Sequence, residues 1–240
     1  MADFIVLIPS RMESTRLPGK PLKKIGNKTL IQRVAEQANK SKAKEVIVAS
    51  DSEEIISHCT NNNIKTIITN SGHETGSDRI AEAAKKLNLD NDQIIVNVQG
   101  DEPFVDPDDI NNLYDLMINQ SINMATLYSA LNSNDLKNTN VVKLWVNNDG
   151  KVIRFDRKIV DKEDAYQVQM HLGIYAYTAS FLKQFVKWPQ SKGELDLQLE
   201  QMRVIDNKED IYAKESVSNI HLSIDTLEEL EYARQLIKSL

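Results

Sequence analysis

The sequence predicts an α/β fold, a doubly wound and mostly parallel sheet with an antiparallel excursion in its second half. Three observations carry that expectation. The front half alternates short apolar runs with segments of helical periodicity. Those runs are β-branched and continuous, as in strands buried on both faces. From about residue 141, strand-like runs follow one another across a turn sequence instead of a helix.

The elements follow in order. FIVLIP (4–9), EVIVAS (45–50), TIIT (66–69), IIVNVQG (94–100) and MATLYS (124–129) are the front strands. Between them, LIQRVAEQANKS reads as a helix from Leu30, and SEEIISHCTNN as another after Asp51. In SDRIAEAAKKL, Ile80, Ala83, Ala84 and Leu87 share one stripe. DPDDINNLYDLMINQ opens with acidic residues that suit a helix N-terminus. VVKLWV, KVIRF and LGIYAY read as strands, and Asn147-Asn148-Asp149-Gly150 as a hairpin turn. ASFLKQFVKW and ELDLQLEQMRVI read as helical, IYAKES and HLSID as short strands, and DTLEELEYARQLIKSL as a closing amphipathic helix. No repeat, low-complexity tract or linker interrupts the pattern, so residues 1–240 are expected to form a single domain.

Composition narrows the function classes. The chain has 240 residues, 41% hydrophobic and 27% charged, as expected of a globular protein with a sizeable core. Its formal charge of −6 argues against a nucleic-acid partner, which calls for a basic field. Cys59 is the single cysteine, so no internal disulfide is expected, and the chain reads as a cytoplasmic protein. The apolar run in MADFIVLIPSR is too short for a membrane span and lacks the basic start of a signal.

In an open α/β sheet, ligands bind beyond the carboxyl ends of the strands, near the switch in strand order. After the first strand, SRMESTRLPGKPL presents Arg11, Ser14, Arg16 and Lys20, with only Glu13 in opposition. It is neither a GxxxxGK[ST] loop nor a GxGxxG turn. Two arginines and a lysine can still hold a triphosphate, the guanidinium forks and the ammonium point charge matching phosphate oxygens. The other reading is a solvated basic loop. After the fourth strand, NVQGDEP places Asp101 at the tip, as a Mg²⁺ carboxylate or as a turn aspartate bonding its own backbone. In HLSIDTLEELE, Asp225 is a helix N-cap, a second metal carboxylate, or both. In HETGSDRIAEAA, Gly76 and Ser77 bring backbone N–H groups toward a ligand, or Ser77 caps the helix. His58, His73, His171 and His221 lack zinc-ligand spacing. Tyr175, Tyr177, Trp145 and Trp188 read as packing residues.

IPSRMESTRLPGKPL, HETGSDRIAEA, VNVQGDEP, HLGIYAY, LEQMR and SIDTLEELE stand in one order across almost the whole chain. Together they resemble the 3-deoxy-manno-octulosonate cytidylyltransferase (CMP-Kdo synthetase) family. The resemblance implies a nucleotide-diphospho-sugar transferase-like fold, a homodimer and Mg²⁺ dependence. It implies the reaction of CTP with Kdo to give CMP-Kdo and pyrophosphate, for lipopolysaccharide synthesis. Carried over by motif, Arg11, Ser14 and Lys20 hold the CTP phosphates, and Gly76, Ser77 and Arg79 meet the cytosine side. Asp101 and Asp225 hold Mg²⁺, and Gln99 faces the sugar. Arg157, His171, Tyr175, Glu200 and Gln201 line the sugar-acid pocket. Arg11, Lys20, Asp101 and Asp225 are the residues implied to carry catalysis.

The family pattern departs in its sugar half. Where the family has Phe-Ser-Arg and then Pro-x-Ile-Pro, residues 155–161 read FDRKIVD, with Asp156 at the serine position. Later, Glu194 matches one family glutamate, while Leu197 stands at a second. An added carboxylate at Asp156 could pair with an amine, which makes an 8-amino analogue of Kdo an alternative acceptor. Asp156 facing solvent in a variable loop is the other reading. A nine-carbon sialic-type acid and a non-catalytic nucleotide-binding regulator are further alternatives.

Overall fold

The computed structural model describes residues 3–159 and 166–239. Val160 and Asp161 of FDRKIVD, and Leu240 of the closing segment, lie outside them. The elements are β1 (Phe4–Ser10), a 3₁₀ turn (Lys20–Leu22), β2 (Lys24–Ile25), β3 (Lys28–Thr29), α1 (Leu30–Ala38), β4 (Glu45–Ser50), α2 (Glu53–Asn61) and β5 (Lys65–Ile68). Then come α3 (Gly76–Lys86), β6 (Ile94–Asn97), α4 (Pro107–Gln120), β7 (Met124–Ser129), β8 (Lys143–Val146), β9 (Val152–Asp156) and β10 (Gln167–Thr178). The chain closes with α5 (Ala179–Phe185), α6 (Lys192–Leu197), α7 (Met202–Asp206), β11 (Tyr212–Glu215) and α8 (Leu227–Leu236).

The main sheet runs β11-β7-β10-β6-β1-β4-β5. β1 pairs in parallel with β4 and β6, and β4 with β5, as the continuous apolar runs required. β10 is the one reversed strand on this path, antiparallel to both β6 and β7. Its first residues also pair with β8, and β8 pairs with β9 around the Asn147–Gly150 turn, where Gly150 takes φ 82. The expected antiparallel excursion is this β8–β9 hairpin. A bulge between Leu172 and Tyr175 shifts β10 in register, and the Thr126 hydroxyl bonds the Leu172 and Ile174 carbonyls (3.1 and 2.9 Å) inside it.

Helices cover both faces. One core joins β1, β4 and β6 to α1, α4 and α8 through Val6, Ile8, Val34, Leu113 and Leu230. The other joins the opposite face to α3, α5 and α7 through Leu7, Ile80, Phe181 and Val204.

Four local expectations need correction. The strand in IIVNVQG ends at Asn97, so Gln99 and Gly100 belong to the turn beyond it. HLSID forms no strand; it runs as an extended segment tied to the sheet by Ile224 N–H donating to the Asp101 carbonyl (3.0 Å). ELDLQLEQMRVI is two helices, because Gln198 takes a left-handed φ of 53 between α6 and α7. The caps of α3 and α8 are Thr75 and Thr226, each in a reciprocal box with Asp78 and Glu229, rather than Ser77 and Asp225. Both displaced residues are thereby free for other partners.

Candidate active site

The chain leaves β1 toward β4 on one side and later places β6 on the other, so the switch in strand order falls beside β1. A cavity of about 320 Å³ opens there. Arg11, Ser14 and Lys20 line it from the segment after β1, Gly76 and Arg79 from the start of α3, and Gln99, Asp101 and Asp225 from the far side. Local sequence explains how Lys20 comes to face inward. Gly19 adopts φ 65, a conformation that costs other residues strain, and turns the chain into the short 3₁₀ helix that Pro21 stiffens.

Backbone contact fixes the opposite wall. A Cβ at Gly100 would sit 2.7 Å from the Pro9 carbonyl oxygen, so the turn carrying Asp101 is pressed against the end of β1. Gly100→Ala is expected to cost about 1–3 kcal/mol of stability, because backbone must move to admit the methyl group. Urea unfolding of the variant reads that loss, and an unchanged midpoint would disprove the contact.

At the centre of the cavity wall, the Lys20 ammonium donates to Asp101 Oδ2 (2.7 Å) and Asp225 Oδ1 (2.8 Å). Arg16 holds the other oxygen of Asp225 at 2.8 Å. Burial works to lower the Lys20 pKa, but Asp101 and Asp225 outweigh it and raise it. Burial works to raise Asp225, and Lys20 with Arg16 brings it below its ordinary value. Glu102 behaves oppositely: burial, with Asp101 and Asp225 nearby, pushes it up to about 8. Sequence reading passed over Glu102 because nothing in GDEP distinguishes its environment from that of Asp101.

The start of α3 is tightly braced. Arg79 is buried, and its guanidinium donates to Thr69 Oγ1 (2.6 Å) and Asp51 Oδ2 (3.2 Å). Glu82, one turn on, accepts from Asn70 N–H (2.9 Å) and bonds the His73 ring. Burial works to raise Glu82, but bonds from Lys86, Asn70 and His73 bring it down to about 2. Ser77 is buried, and its hydroxyl donates to Glu200 Oε2 (2.8 Å) across 123 positions of sequence. His73 and Thr75, absent from the sequence assignment, also line the cavity. The Thr75–Asp78 spacing was the signal that could have marked that wall.

The residues assigned to the sugar acid divide between three surroundings. Gln99 and His171 line a second cavity of about 410 Å³, which meets the first at Gln99 and Asp101. Glu200 is on the α3 side, with Oε1 buried and unbonded among the described residues. Burial raises its pKa, against the opposing bonds from Thr75 and Ser77. Gln201 is buried at the start of α7, and Tyr175 stacks on Tyr177 at 6.0 Å between ring centroids. Arg157 donates to three backbone carbonyls, Leu197 (2.8 Å), Thr139 (3.2 Å) and Gln198 (3.2 Å). Asp156 accepts from Lys158 N–H (2.9 Å) and lies 4.0 Å from Arg154, an Asx turn closing on its own chain.

His171 bonds Thr126 Oγ1 (3.0 Å) and meets Phe155 edge-on at 5.0 Å. Burial lowers its pKa to about 3, so the ring is neutral at physiological pH. The unfolded chain, titrating near 6.5, takes up a proton that the folded chain refuses. His171 therefore contributes stability above about pH 6.5 that is lost as the pH falls toward 3. His171→Gln is expected to flatten the acid side of the stability profile across that window, which urea midpoints at stepped pH will show.

A Mg²⁺ site is compatible with these residues. Two carboxylates converge on one positive atom, the Lys20 ammonium, which shows that the position accepts a cation. Among the described residues no group of three or more His, Cys, Asp or Glu forms a metal cage. Mg²⁺ takes one or two carboxylates and completes its shell with water and phosphate oxygens, so the donor set fits it.

Comparison with known proteins gives the same class. Residues 5–211 match the family model described as Cytidylyltransferase, so the chain is a nucleotidyltransferase of that class. Relatives include 3-deoxy-manno-octulosonate cytidylyltransferases of Histophilus somni, 38% identical over 98% of each chain, and of Polynucleobacter asymbioticus, 39% identical over 98% of this chain and 96% of that one. The chain belongs to the 3-deoxy-manno-octulosonate cytidylyltransferase family. A solved CMP:2-keto-3-deoxy-manno-octonic acid synthetase complexed with CTP superposes with a TM-score of 0.91 at 32% identity, covering 98% of each chain. A Leptospira borgpetersenii cytidylyltransferase, at 22% identity and a TM-score of 0.67 over 100% of this chain and 88% of that one, shares the fold.

Proposed function

We propose that the protein transfers CMP from CTP to the anomeric hydroxyl of 3-deoxy-manno-octulosonate, releasing pyrophosphate, with Mg²⁺ as cofactor. The observation that carries this reading is Lys20 joining Asp101 and Asp225 on the wall of a cavity whose rim bears Arg11 and Arg16. The anomeric oxygen forms a bond to the α-phosphorus as the bond from that phosphorus to the pyrophosphate oxygen breaks, and the hydroxyl proton passes to water. A sugar carboxylate and a polyanionic nucleotide must meet, so the chain's task is mainly neutralisation and alignment. Arg11, Ser14 and Lys20 receive the phosphates, and Gly76 lets the nucleotide approach the start of α3. Mg²⁺, held by Asp101 and Asp225, would neutralise phosphate charge and favour loss of the sugar hydroxyl proton.

Gln99 stands where the two cavities meet, and we assign it to the acceptor together with His171 of the second cavity, with Glu200 approaching from the α3 side through its bond to Ser77. The chain is proposed to act as a cytoplasmic homodimer in lipopolysaccharide synthesis; no helix among the described residues is long and apolar enough to cross a membrane. A regulator without activity would not need Lys20, Asp101 and Asp225 brought together. Pyrophosphate release from CTP with Mg²⁺, run against Kdo, its 8-amino analogue, a sialic acid and no sugar, tests the reading. Release with Kdo above the others is expected; release with none of them, or a strong preference for another acid, would refute it. Light scattering after gel filtration tests the dimer.

A further inference from the structure

Two cations outside the nucleotide cavity hold six backbone carbonyls between them. Lys143 opens β8 and is 0% exposed. Its ammonium donates to the carbonyls of Asn138, Val141 (2.9 Å) and Arg157 (3.1 Å). Asp135 and Asp156 attract it from nearby and Arg157 repels it, yet among the described residues its direct partners are all carbonyls. Arg157, just past β9, in turn holds the carbonyls of Thr139, Leu197 and Gln198. A buried ammonium is costly, and a well-packed apolar side chain would serve stability as well or better. The ammonium does something an apolar chain cannot: it ties the 138–141 segment to the end of β9 at one point, and Arg157 carries the tie on to Leu197 and Gln198.

The first of these segments borders the acceptor side of the site, and the last leads into the start of α7. Asn140, Val141 and Val142 line the 410 Å³ cavity that meets the nucleotide at Gln99 and Asp101. Leu197 and Gln198 form the left-handed break before α7, two residues short of Glu200. Glu200 bonds Ser77, next to Gly76 on the nucleotide wall. We infer that Lys143 is a positioning residue for the sugar acid, acting directly on the 138–141 wall and through Arg157 on the break that carries Glu200. This rests on the transfer reaction proposed above. The chain of contacts predicts a selective defect, because Arg11, Lys20 and Asp225 make no bond to either cation.

Lys143→Met keeps an unbranched side chain one atom shorter and removes the ammonium. It is expected to lower kcat/KM for Kdo by about ten-fold or more, since small misplacements in a reacting geometry cost up to about 10²-fold. KM for CTP, and the calorimetric CTP affinity, are expected to stay within about two-fold. Lys143→Arg, which restores donors, should recover part of the loss. An unchanged kcat/KM for Kdo overturns the inference, and so does a proportionate loss of CTP and Kdo binding, which would mark a purely structural lysine. Should Lys143→Met fail to fold, Lys143→Gln gives the same reading: it keeps a polar donor but is shorter and lacks the ammonium that spans three carbonyls. A Kdo-selective loss then supports the inference, and wild-type kinetics refute it. Turnover of the wild-type protein with Kdo, measured first, separates the two ideas. Its absence refutes the transfer reaction and this inference together, whereas turnover with an unaltered variant refutes the positioning role alone.

Discussion

Lys20→Met is expected to lower kcat by about 10²–10³-fold, by analogy with loss of a single preorganised donor to developing charge. The side chain sits where nucleotide phosphates and two carboxylates would otherwise face each other, 2.7 Å from Asp101 and 2.8 Å from Asp225. Methionine conserves bulk, so the loss is electrostatic. The variant should also respond differently to Mg²⁺. With the ammonium gone, Asp101 and Asp225 repel one another, and added Mg²⁺ should raise the thermal midpoint of the variant by more than that of the wild type. Asp225 also keeps Arg16 but loses its bond to Lys20, one of the two partners that depress its pKa. In the wild type that bond adds stability above the ordinary aspartate range, lost as pH falls through the folded value, and the variant should lack it. Pyrophosphate release and thermal melts with and without Mg²⁺ check both halves; activity within about three-fold of wild type would remove Lys20 from the mechanism.

Glu194→Ala is expected to cost about 3–5 kcal/mol of stability, because it strands a buried charge. Arg203 Nε donates to Glu194 Oε2 at 2.7 Å, a second bond joins Nη2 to Oε1, and the two side chains are 5% and 6% exposed. The guanidinium also lies 4.9 Å over the Phe185 ring, tying the pair to α5. With α6 and α7 released from each other, Glu200 between them loses its place. Adding Arg203→Met to the first substitution should recover much of the stability, since no charge is then left unpaired. Urea midpoints of the two singles and the double complete the cycle, and full additivity would contradict the pairing.

Strands and helices of the front half were legible because burial on both faces leaves uninterrupted β-branched runs and each helix shows one apolar stripe. The break at Gln198 was not legible. Glutamine has no special preference for positive φ, and only the tertiary Glu194–Arg203 and Arg157 contacts make that turn worthwhile. HLSID alternates like a strand, yet one backbone bond to Asp101 is what places it. In the site, the cationic segment and the two aspartates could be found from composition at strand ends. Their meeting at a single ammonium depends on α8 returning beside β2, which brings Asp225 to Lys20 over 205 positions of sequence. Lys143 is legible only as part of the strand VVKLWV, since nothing in the sequence marks this lysine as buried. Its burial follows from three carbonyls that the sequence does not display.

β10 enters the sheet between β6 and β7 although it is made long after β6, with Tyr175 opposite Asn97. Until residues 167–178 have left the ribosome, the nascent chain carries β6 with one open edge at the middle of what will be the finished sheet. Synthesis that stalls inside the β8–β9 hairpin would therefore yield fragments prone to pair with each other, and chaperone demand should peak in that interval and fall once Thr178 emerges.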